Sequence, residues 1–227
     1  MKFTVDPKQQ TFFSRKGYLE LEPLFSEEEL DAVAIEIDQA LQQQLKTPQA
    51  RLSDQETKEL FLLGRDLWRH DTEVKKLVFN KQLAQITASL LPPTGLRIAY
   101  DQAIRIGKNP GKSPLPSPTT LQKVSAFQSI VCGILIRLTD GPAPKVSDFF
   151  CPYPAKKGEM TLFKPDLPLS FDPLFQIPNQ SLLLIAYCIP KTVYILEPND
   201  PHTHRLKKEG YAFGDLLKNK THPIILR

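Results

Sequence analysis

The sequence has few of the side chains that bind transition metals. Its 227 residues include four histidines and three cysteines, and no histidine lies between Val74 and Asp200. The stretch from Gln102 to Thr139 contains no histidine, aspartate or glutamate. Because zinc and iron sites in proteins are built largely from imidazole, thiolate and carboxylate groups, this stretch excludes a histidine or carboxylate ligand from nearly forty residues.

The cysteines do not form a recognisable framework. Three is an odd number, and the sequence has no C-x-x-C pair, which argues against both a disulfide scaffold and a zinc knot. Cys132, Cys151 and Cys188 lie among apolar or strand-forming neighbours, so we expect buried thiols and a cytoplasmic location. Cys151 precedes a proline and is expected to be the most exposed, but the sequence indicates no histidine base for it.

Long hydrophobic runs are also absent. The longest, Ile130 to Leu138 and Leu182 to Ile189, are far shorter than the roughly 20 residues that cross a bilayer. The first ten residues contain no apolar run, so we expect neither a standard export signal nor a membrane span. With 41% hydrophobic and 24% charged residues, the composition predicts a single domain over 1–227, with a mainly helical part over 1–92 and a β core with a C-terminal tail over 93–227.

The net charge of +4 is small, and the basic residues are scattered. The sequence has no helix-turn-helix glycine pattern, no zinc-finger spacing and no arginine-rich arm, which are features that proteins use to read DNA bases. We therefore do not expect nucleic-acid binding. A divalent-metal-responsive DNA-binding regulator is kept as an alternative, and only the positive net charge supports it. The partner is unknown; a small-molecule or protein ligand is open, and a membrane partner is not expected.

Capping signals predict three helices in the first part of the chain. Ser26 followed by Glu29 is a capping box that predicts a helix from about Glu27 to Leu45. Ser53 followed by Glu56 repeats the pattern before a second apolar series. The second and third helices are predicted from these residues: Leu60, Leu63, Leu67 and Trp68, and then Thr72 to Leu91, which Pro92 and Pro93 end.

Short β-rich segments separated by prolines follow the helices. The predicted strands are Leu96 to Ile106, Ser125 to Leu138, Val146 to Phe150, Met160 to Phe163, Leu182 to Ile189 and Thr192 to Leu196. Because no helical pattern separates them, they predict an antiparallel barrel or jelly roll with the helices packed outside. The four prolines of Asn109 to Pro118 exclude a central strand there, so this segment is either a linker or a loop over the barrel mouth.

Three segments near the N-terminus form a series: Gly17-Tyr18-Leu19-Glu20, Phe25-Ser26-Glu27-Glu28-Glu29-Leu30 and Ile35-Glu36-Ile37-Asp38. The series, followed by Leu96 to Gln102 and an apolar β-rich half, resembles the layout of the phytanoyl-CoA dioxygenase-like family. Members of that family are Fe(II)- and 2-oxoglutarate-dependent oxygenases. The resemblance implies an α+β chain with a double-stranded β-helix of the jelly-roll or cupin type, and with N-terminal helices outside the barrel.

The distal half of that family is matched by Gly158 to Phe163 and by the apolar run from Leu182 to Tyr187. On this register the metal-binding histidine falls on or near Leu169, and the arginine that holds the co-substrate falls on or near Gln180. Leucine has no lone pair for iron, and neutral glutamine cannot form a charge-assisted pair with a dicarboxylate. The family's H-x-D pair would fall between the proline-rich loop and Ile134, where no such residues occur.

The resemblance therefore implies a divergent member that lacks the metal-binding motif. We expect no cofactor. Fe(II) and 2-oxoglutarate would be expected only if the inference that the metal site has been lost is wrong. The expected function is a non-catalytic binding or regulatory role, and the space near Leu169 is expected to be apolar or a neutral pocket. An oxygenase that uses non-heme iron at a non-standard site is the alternative.

Asp200, His202 and His204 are the only dense group of potential ligands. In an extended strand they would lie on one face, about 7 Å apart end to end, and would offer a divalent metal two imidazoles and a carboxylate. Asn199-Asp200-Pro201 is also a turn signal, so Asp200 is alternatively a cap for a short helix over 204–209. His70 is expected to cap a helix end at the surface, and residues 211–217 are expected to pack against the barrel.

Overall fold

The computed structural model describes residues 5–46, 49–93 and 95–227. Its helices are α1 (Pro7–Lys16), α2 (Glu27–Leu45), α3 (Thr57–Leu63), α4 (Thr72–Val78), α5 (Lys81–Leu90) and α6 (Asp172–Phe175). Its strands are β1 (Tyr18–Leu21), β2 (Leu96–Arg105), β3 (Thr119–Thr120), β4 (Ile130–Arg137), β5 (Met160–Phe163), β6 (Pro168–Leu169), β7 (Ser181–Cys188) and β8 (Ile224–Leu226). No helix in these ranges is long and apolar enough to cross a membrane.

The strands form a curled antiparallel sheet of six strands in the order β1-β5-β4-β7-β2-β8, and a second sheet of β3 and β6. The long strands β2 and β7 pair antiparallel, with Gln102 opposite Leu184. The protein is therefore a mixed α and β chain with a half-barrel sheet. The expectation of an antiparallel sheet is confirmed at this level, although the four-residue helix α6 lies between β6 and β7. The sheet also includes β1 and β8, from the two ends of the chain.

Both faces of the main sheet are buried. On β7, Leu183 and Ile185 belong to an outer apolar cluster that also contains helix residues such as Ile37 and Val78. Leu182 and Leu184 belong to the inner cluster inside the curl. Because successive side chains of a strand point to opposite faces, a run that is apolar at every position fits a sheet with helices on one side and a barrel interior on the other.

The first helix and strand were not predicted from the sequence, although signals for both are present. Asp6 and Gln9 form a reciprocal capping box at the start of α1, and Pro7 follows the cap directly. Gly17 ends the helix in the left-handed region with φ of 81°, where glycine carries no Cβ penalty. This sharp stop turns the chain directly into β1.

The predicted helix α2 is confirmed at both ends. The Ser26 hydroxyl accepts a hydrogen bond from the Glu29 N–H, and the Glu29 carboxylate accepts one from the Ser26 N–H. Leu30, Ile37 and Leu41 are almost fully buried in the outer cluster. The capping box and the apolar spacing therefore agree, and the helix lies against the outer face of the sheet.

The second predicted helix is shorter than expected because Gly64 ends it. A Cβ at Gly64 would lie 2.5 Å from the carbonyl oxygen of Ala103 on β2, so only glycine allows this close approach. The Ala103 N–H donates to the Gly64 carbonyl at 2.8 Å, and an isolated bridge pairs Arg65 with Gln102. The chain after α3 thus becomes attached to the sheet, and Leu67 and Trp68 lie in a separate short 3₁₀ turn.

The third predicted helix is two helices. The Asn80 side chain accepts a hydrogen bond from the Leu83 N–H and caps α5, which separates it from α4. Asn favours such caps because its short side chain bonds backbone donors of the first turn. The two helices pack against the outer cluster through Val74, Leu77 and Leu83.

Three strand predictions need correction. Val146–Phe150 forms no strand; prolines flank it on both sides, and Phe149 is exposed. The strand predicted over 125–138 begins at Ile130. Before it, residues 121–124 form a 3₁₀ turn that Thr120 caps, and Phe127 makes an isolated bridge to Tyr194. In place of a strand over 192–196, Val193 and Tyr194 make only isolated bridges.

The proline-rich segment is a loop, as predicted. The Gly111 N–H donates to the Phe175 carbonyl at 3.2 Å, and the Asp172 N–H donates to the Ser117 hydroxyl at 3.3 Å. Leu115 is buried in the inner cluster. These contacts place the loop across α6 and one side of the barrel interior, which favours the covering role over a free linker.

Candidate functional site

The position expected for the metal-binding histidine is packed with apolar side chains. Leu169 on β6 pairs with Thr119 and is almost fully buried in the inner cluster. The same cluster contains Leu121, Phe163, Phe171 and Phe175. An added Cβ at Gly133 would lie 2.3 Å from the ring of Phe163 and 2.8 Å from Leu121. The barrel interior is therefore tightly filled on this side.

Gln180, at the position expected for the co-substrate arginine, is engaged by Arg137. The Arg137 guanidinium donates to the Gln180 side-chain oxygen and to the carbonyls of Thr139, Gly141 and Pro154. Burial lowers the pKa of Arg137, with Asp140 and Glu159 opposing the shift. This buried cation is thus used to hold the 139–158 loop, and its donors point to backbone carbonyls.

The Asp200, His202 and His204 side chains do not converge. Asp200 is almost fully buried, and its carboxylate accepts from the backbone N–H groups of Ala126 and His202 at 2.8 and 2.9 Å. His204 is exposed beside the ring of Phe213. Across the described ranges, no group of three histidine, cysteine or acidic residues is arranged to hold a metal ion. Asp200 therefore organises a turn, as Asn199-Asp200-Pro201 indicates, but it does not cap the 3₁₀ turn Arg205–Glu209, whose cap residue is His204 and which has no side-chain cap bond.

The other candidate residues have structural surroundings. Cys151 is buried rather than exposed, and burial raises the pKa of its thiol well above the usual range. His70 lies exposed at the end of the 3₁₀ turn. His222 is buried between the rings of Phe127 and Tyr211. Tyr211 and Leu217 pack into the inner cluster, as predicted for residues 211–217.

A different group of polar residues surrounds Arg65. Its Nε donates to the Gln102 side-chain oxygen at 2.8 Å, and its Nη2 lies 3.5 Å from the Asp200 carboxylate. The guanidinium stacks over the Tyr100 ring, 3.7 Å from the centroid. The Tyr100 hydroxyl oxygen lies 2.6 Å from the Ser125 hydroxyl oxygen. Burial raises the pKa of Tyr100 to about 12. Arg65 is thus a buried cation fixed on three sides.

Asp66 follows in an unusual conformation. Its φ of 59° is left-handed, which is uncommon for a residue other than glycine. Its Oδ2 lies 3.5 Å from Nε of Arg205 and 3.8 Å from Nε of Arg69. Its Oδ1 is buried and has no hydrogen-bond partner. Burial raises the pKa of this carboxyl, and Arg205, Arg69 and Arg65 act in the opposite direction.

Two neighbouring cavities share a wall formed by Arg65, Asp66 and Arg205. The inner cavity, of about 10 Å³, is also lined by Tyr100, Ala126, Phe127, Tyr194, Asp200, His202 and Leu206. The outer cleft, of about 240 Å³, is also lined by Ala40, Gln43, Gln44, Leu67, His70 and Asp71. One side of the wall is therefore aromatic and the other is polar.

Several buried polar atoms around these cavities have no partner. They include Oδ1 of Asp66 and Oδ2 of Asp71, whose residues line the outer cleft, and Nε2 of His202, whose residue lines the inner cavity. Burial, followed by the charges of Arg65 and Arg205, lowers the pKa of His202 to about 2, so its imidazole is neutral. Buried polar groups are nearly always hydrogen-bonded, and these atoms are exceptions within the shared wall and its surroundings.

Sequence reasoning named Asp200 and His202 of this site, as candidate metal ligands, but it did not find Arg65, Asp66 or Arg205. The run Arg65-Asp66-Leu67-Trp68-Arg69-His70-Asp71 is the available signal, since five charged or histidine residues follow a glycine within seven positions. Its partners Asp200 and Arg205 lie about 135 residues later in the chain. Nothing in the local spacing indicates that pairing, because the fold of the sheet alone brings the two segments together.

No family model and no curated protein matches the chain. Several solved structures share its fold. The α-ketoglutarate-dependent carbocyclase SnoK of nogalamycin biosynthesis is 14% identical with a TM-score of 0.68, and 97% of this chain and 96% of that chain are covered. The epimerase SnoN with Fe3+, α-ketoglutarate and nogalamycin RO is 13% identical with a TM-score of 0.66, covering 96% and 97%. CT296 from Chlamydia trachomatis is 12% identical with a TM-score of 0.51, covering 83% and 98%.

These neighbours correct one expectation. The sequence analysis predicted no cofactor, whereas SnoK and SnoN depend on α-ketoglutarate and non-heme chemistry, and SnoN was solved with Fe3+ and α-ketoglutarate. Proteins that share this fold carry iron and 2-oxoglutarate, and the prediction of none is wrong on this comparison. The residues at the matched positions of this chain do not fit those groups, since Leu169 is apolar and Gln180 is bonded to Arg137. We derive no reaction step through them.

Proposed function

We propose that the protein binds a small polar molecule at the outer cleft, on the fold that it shares with the iron and 2-oxoglutarate oxygenases. The role is binding or regulation, and the ligand contacts Arg205, Asp66 and Asp71. The observation that carries the proposal is the shared wall, in which the buried pair Arg65 and Asp66 and the partly exposed Arg205 line a cleft.

The energetics support a functional origin for this wall. Burying a charged group costs several kcal/mol unless partners compensate for the lost hydration. Arg65, Asp66 and Asp200 each have at most about 5% of their surface exposed, and Asp66 adds a left-handed backbone. Costly buried charges and backbone strain cluster at sites that bind ligands.

The proposal also includes a specific fold type, a family relation and a location in the cell. The two-stranded sheet opposite the curled main sheet, with the inner cluster between them, supports a double-stranded β-helix. The N-terminal series around Gly17 and Ser26 supports a relation to the phytanoyl-CoA dioxygenase-like family. The three buried free thiols support a cytoplasmic location.

Binding is tested with a polar metabolite and fragment library, screened by thermal shift and followed by calorimetry on the full chain. We expect hits whose affinity falls at least about ten-fold in Arg205→Gln, which loses one charge-assisted partner, and is unchanged in Arg51→Gln, where the arginine is exposed and does not line the cleft. Hits that bind Arg205→Gln as well as the unaltered protein would contradict the site.

The binding role is tested separately with Mn(II) or Fe(II) and 2-oxoglutarate. Joint micromolar binding of metal and 2-oxoglutarate, with an anomalous metal peak inside the barrel held by protein side chains, would overturn a role limited to binding or regulation. Metal or 2-oxoglutarate bound outside the barrel, with neither one changing the affinity of the other, would leave the binding role standing, because iron chemistry of this kind requires several converging ligands.

A further inference from the structure

We propose that the outer cleft selects a small neutral polyol, such as an alditol or a monosaccharide, and discriminates against ligands that carry a net charge. This proposal rests on the binding function given above and names the chemical class of the ligand. Three features of the cleft carry it: the balanced charges of its wall, the polar groups that it exposes and its size.

The charges of the wall are balanced before any ligand binds. Each of three arginines faces one acidic side chain. The pairs are Arg65 with Asp200 at 3.5 Å, Arg69 with Glu209 at 3.1 Å, and Arg205 with Asp66 at 3.5 Å. These six charges sum to zero. A charged ligand would therefore add an uncompensated charge beside buried ionic groups, and such a charge is costly.

Two other titratable side chains close to the wall add no charge at neutral pH. Burial raises the pKa of Asp101 to about 8, which keeps this carboxyl protonated. Burial lowers the pKa of His202 to about 2, which keeps its imidazole neutral. Among the described residues of the lining, Asp71 is the acid without a salt bridge, and burial raises its pKa as well. A hydroxyl group can donate to this carboxyl without bringing a charge.

The polar groups that the cleft exposes include both donors and acceptors. Gln43, Gln44 and His70 are exposed, and the Arg205 side chain is about one-third exposed. The Gln44 amide donates to the Leu63 carbonyl at 3.4 Å, which leaves its oxygen as an acceptor. Because a hydroxyl group both donates and accepts, a ligand with several hydroxyl groups matches this mixed lining.

The size and the apolar content of the cleft favour a compact ligand. The cleft volume is about 240 Å³, just below the range of about 300–1,000 Å³ that is typical of sites for drug-sized ligands. The apolar lining comes from Ala40 and Leu67, and no phenylalanine, tyrosine or tryptophan is among the described residues that line the cleft. Recognition therefore depends on hydrogen bonds, and we expect a ligand no larger than a monosaccharide.

The experiment is an NMR titration of the full chain with D-ribose, D-glucose, xylitol and D-sorbitol. The best binder is then compared with two charged counterparts, one with an ammonium group in place of a hydroxyl group and one with its terminal carbon oxidised to a carboxylate. We expect a Kd below about 10 mM for the neutral form and at least about three-fold weaker binding of both counterparts. A charged counterpart that binds within that factor, or no binding of any neutral polyol at about 10 mM, would overturn the inference.

Two glutamine variants locate the polyol. Gln43→Leu removes an exposed amide of the cleft and should weaken the best polyol about five-fold, because the ligand loses a neutral hydrogen bond. Gln85→Leu is the matched control, since Gln85 is exposed on α5 and does not line the cleft, and it should leave the affinity unchanged. Equal affinity in the two variants would place the polyol outside the cleft.

Asp66→Asn tests the charge balance directly. It removes the acid that faces Arg205 and keeps a short amide side chain that tolerates the left-handed backbone. The carboxylate counterpart should then gain at least about five-fold in affinity relative to the neutral polyol, because the guanidinium lacks its anionic partner. An unchanged preference in a variant with the circular dichroism of the unaltered protein would contradict the balance.

The fragment library of the proposed binding function separates the two proposals. If fragments bind and lose affinity in Arg205→Gln while no neutral polyol binds, the polyol inference fails and the proposed function stands. If neither fragments nor polyols bind the cleft, both fail.

Discussion

The guanidinium of Arg65 lies flat over the ring of Tyr100, with its central carbon 3.7 Å from the ring centroid. The contact joins the segment after α3 to the barrel interior, because Tyr100 belongs to β2 and Arg65 pairs with Gln102 of the same strand. One side chain therefore contacts the sheet, the aromatic cavity and the Asp200 turn. It separates the inner cavity from the outer cleft.

Arg65→Lys should destabilise the protein by about 3 kcal/mol, because it removes the bond to Gln102 and the stacked plane while leaving Asp200 buried with a weaker partner. The measurement is urea unfolding followed by circular dichroism. Arg51→Lys, at an exposed position, should change the free energy of unfolding by less than about 0.5 kcal/mol. Equal stability of the two variants would show that the Arg65 contacts contribute nothing net.

The sequence predicts the parts of this fold whose signals are local. The capping box at Ser26 and the two-sided apolar run of β7 each identify an element and its environment. The end of α3 depends instead on how closely Gly64 approaches the Ala103 carbonyl. No local sequence pattern predicts this contact, because the two residues belong to different elements. The candidate site is less predictable still, since Asp66 and Arg205 become neighbours only through the tertiary fold.

Asp101 should make stability depend on pH. Burial, and then the charge of Asp66, raises its pKa from 3.8 to about 8. Between about pH 4 and pH 8 the Asp101 carboxyl is protonated in the folded chain and ionised in the unfolded chain. Its contribution to the free energy of unfolding is therefore full below about pH 4 and is lost as the pH rises to about 8. In Asp101→Asn, which keeps an oxygen acceptor for the Leu67 or Trp68 N–H, this part of the decline should vanish. A parallel pH profile of unfolding free energy for both proteins would contradict the assignment.

His222 should make the stability of the protein depend on pH in the acid range. Burial, and then the charges of Arg69, Arg97 and Arg205, lowers its pKa from 6.5 to about 3. The unfolded chain therefore takes up a proton that the folded chain excludes, and stability falls as the pH drops from about 6.5 toward 3. We expect His222→Gln to reduce this fall, measured as the free energy of unfolding between pH 7 and pH 4. His204→Gln, at an exposed position, serves as the control and should keep the full fall.

Gly133→Ala tests how densely the barrel interior is packed. The new methyl group would meet the Phe163 ring at 2.3 Å and Leu121 at 2.8 Å, so we expect a loss of about 1–3 kcal/mol from overpacking. Gly111→Ala is the matched control, because its Cβ would have no contact closer than 3.9 Å. If chemical denaturation gave both variants the same midpoint, the interior would have room that the packing does not indicate.

Leu169→His places an imidazole at the position expected for a metal-binding histidine, and we expect it to create no iron site. A facial triad needs a second histidine and a carboxylate, whereas the nearby cluster residues Leu121, Phe163 and Phe171 are apolar. The variant should lose about 2–4 kcal/mol in unfolding free energy, because a buried imidazole would have no partner and the leucine packing would be lost. Leu169→Met, which keeps the volume and stays apolar, should lose less than about 1.5 kcal/mol. The decisive readout is the anomalous signal of a crystal of the variant soaked in Fe(II): a protein-coordinated peak beside residue 169 would mean that other ligands approach this position, and that the apolar packing is not what keeps iron out.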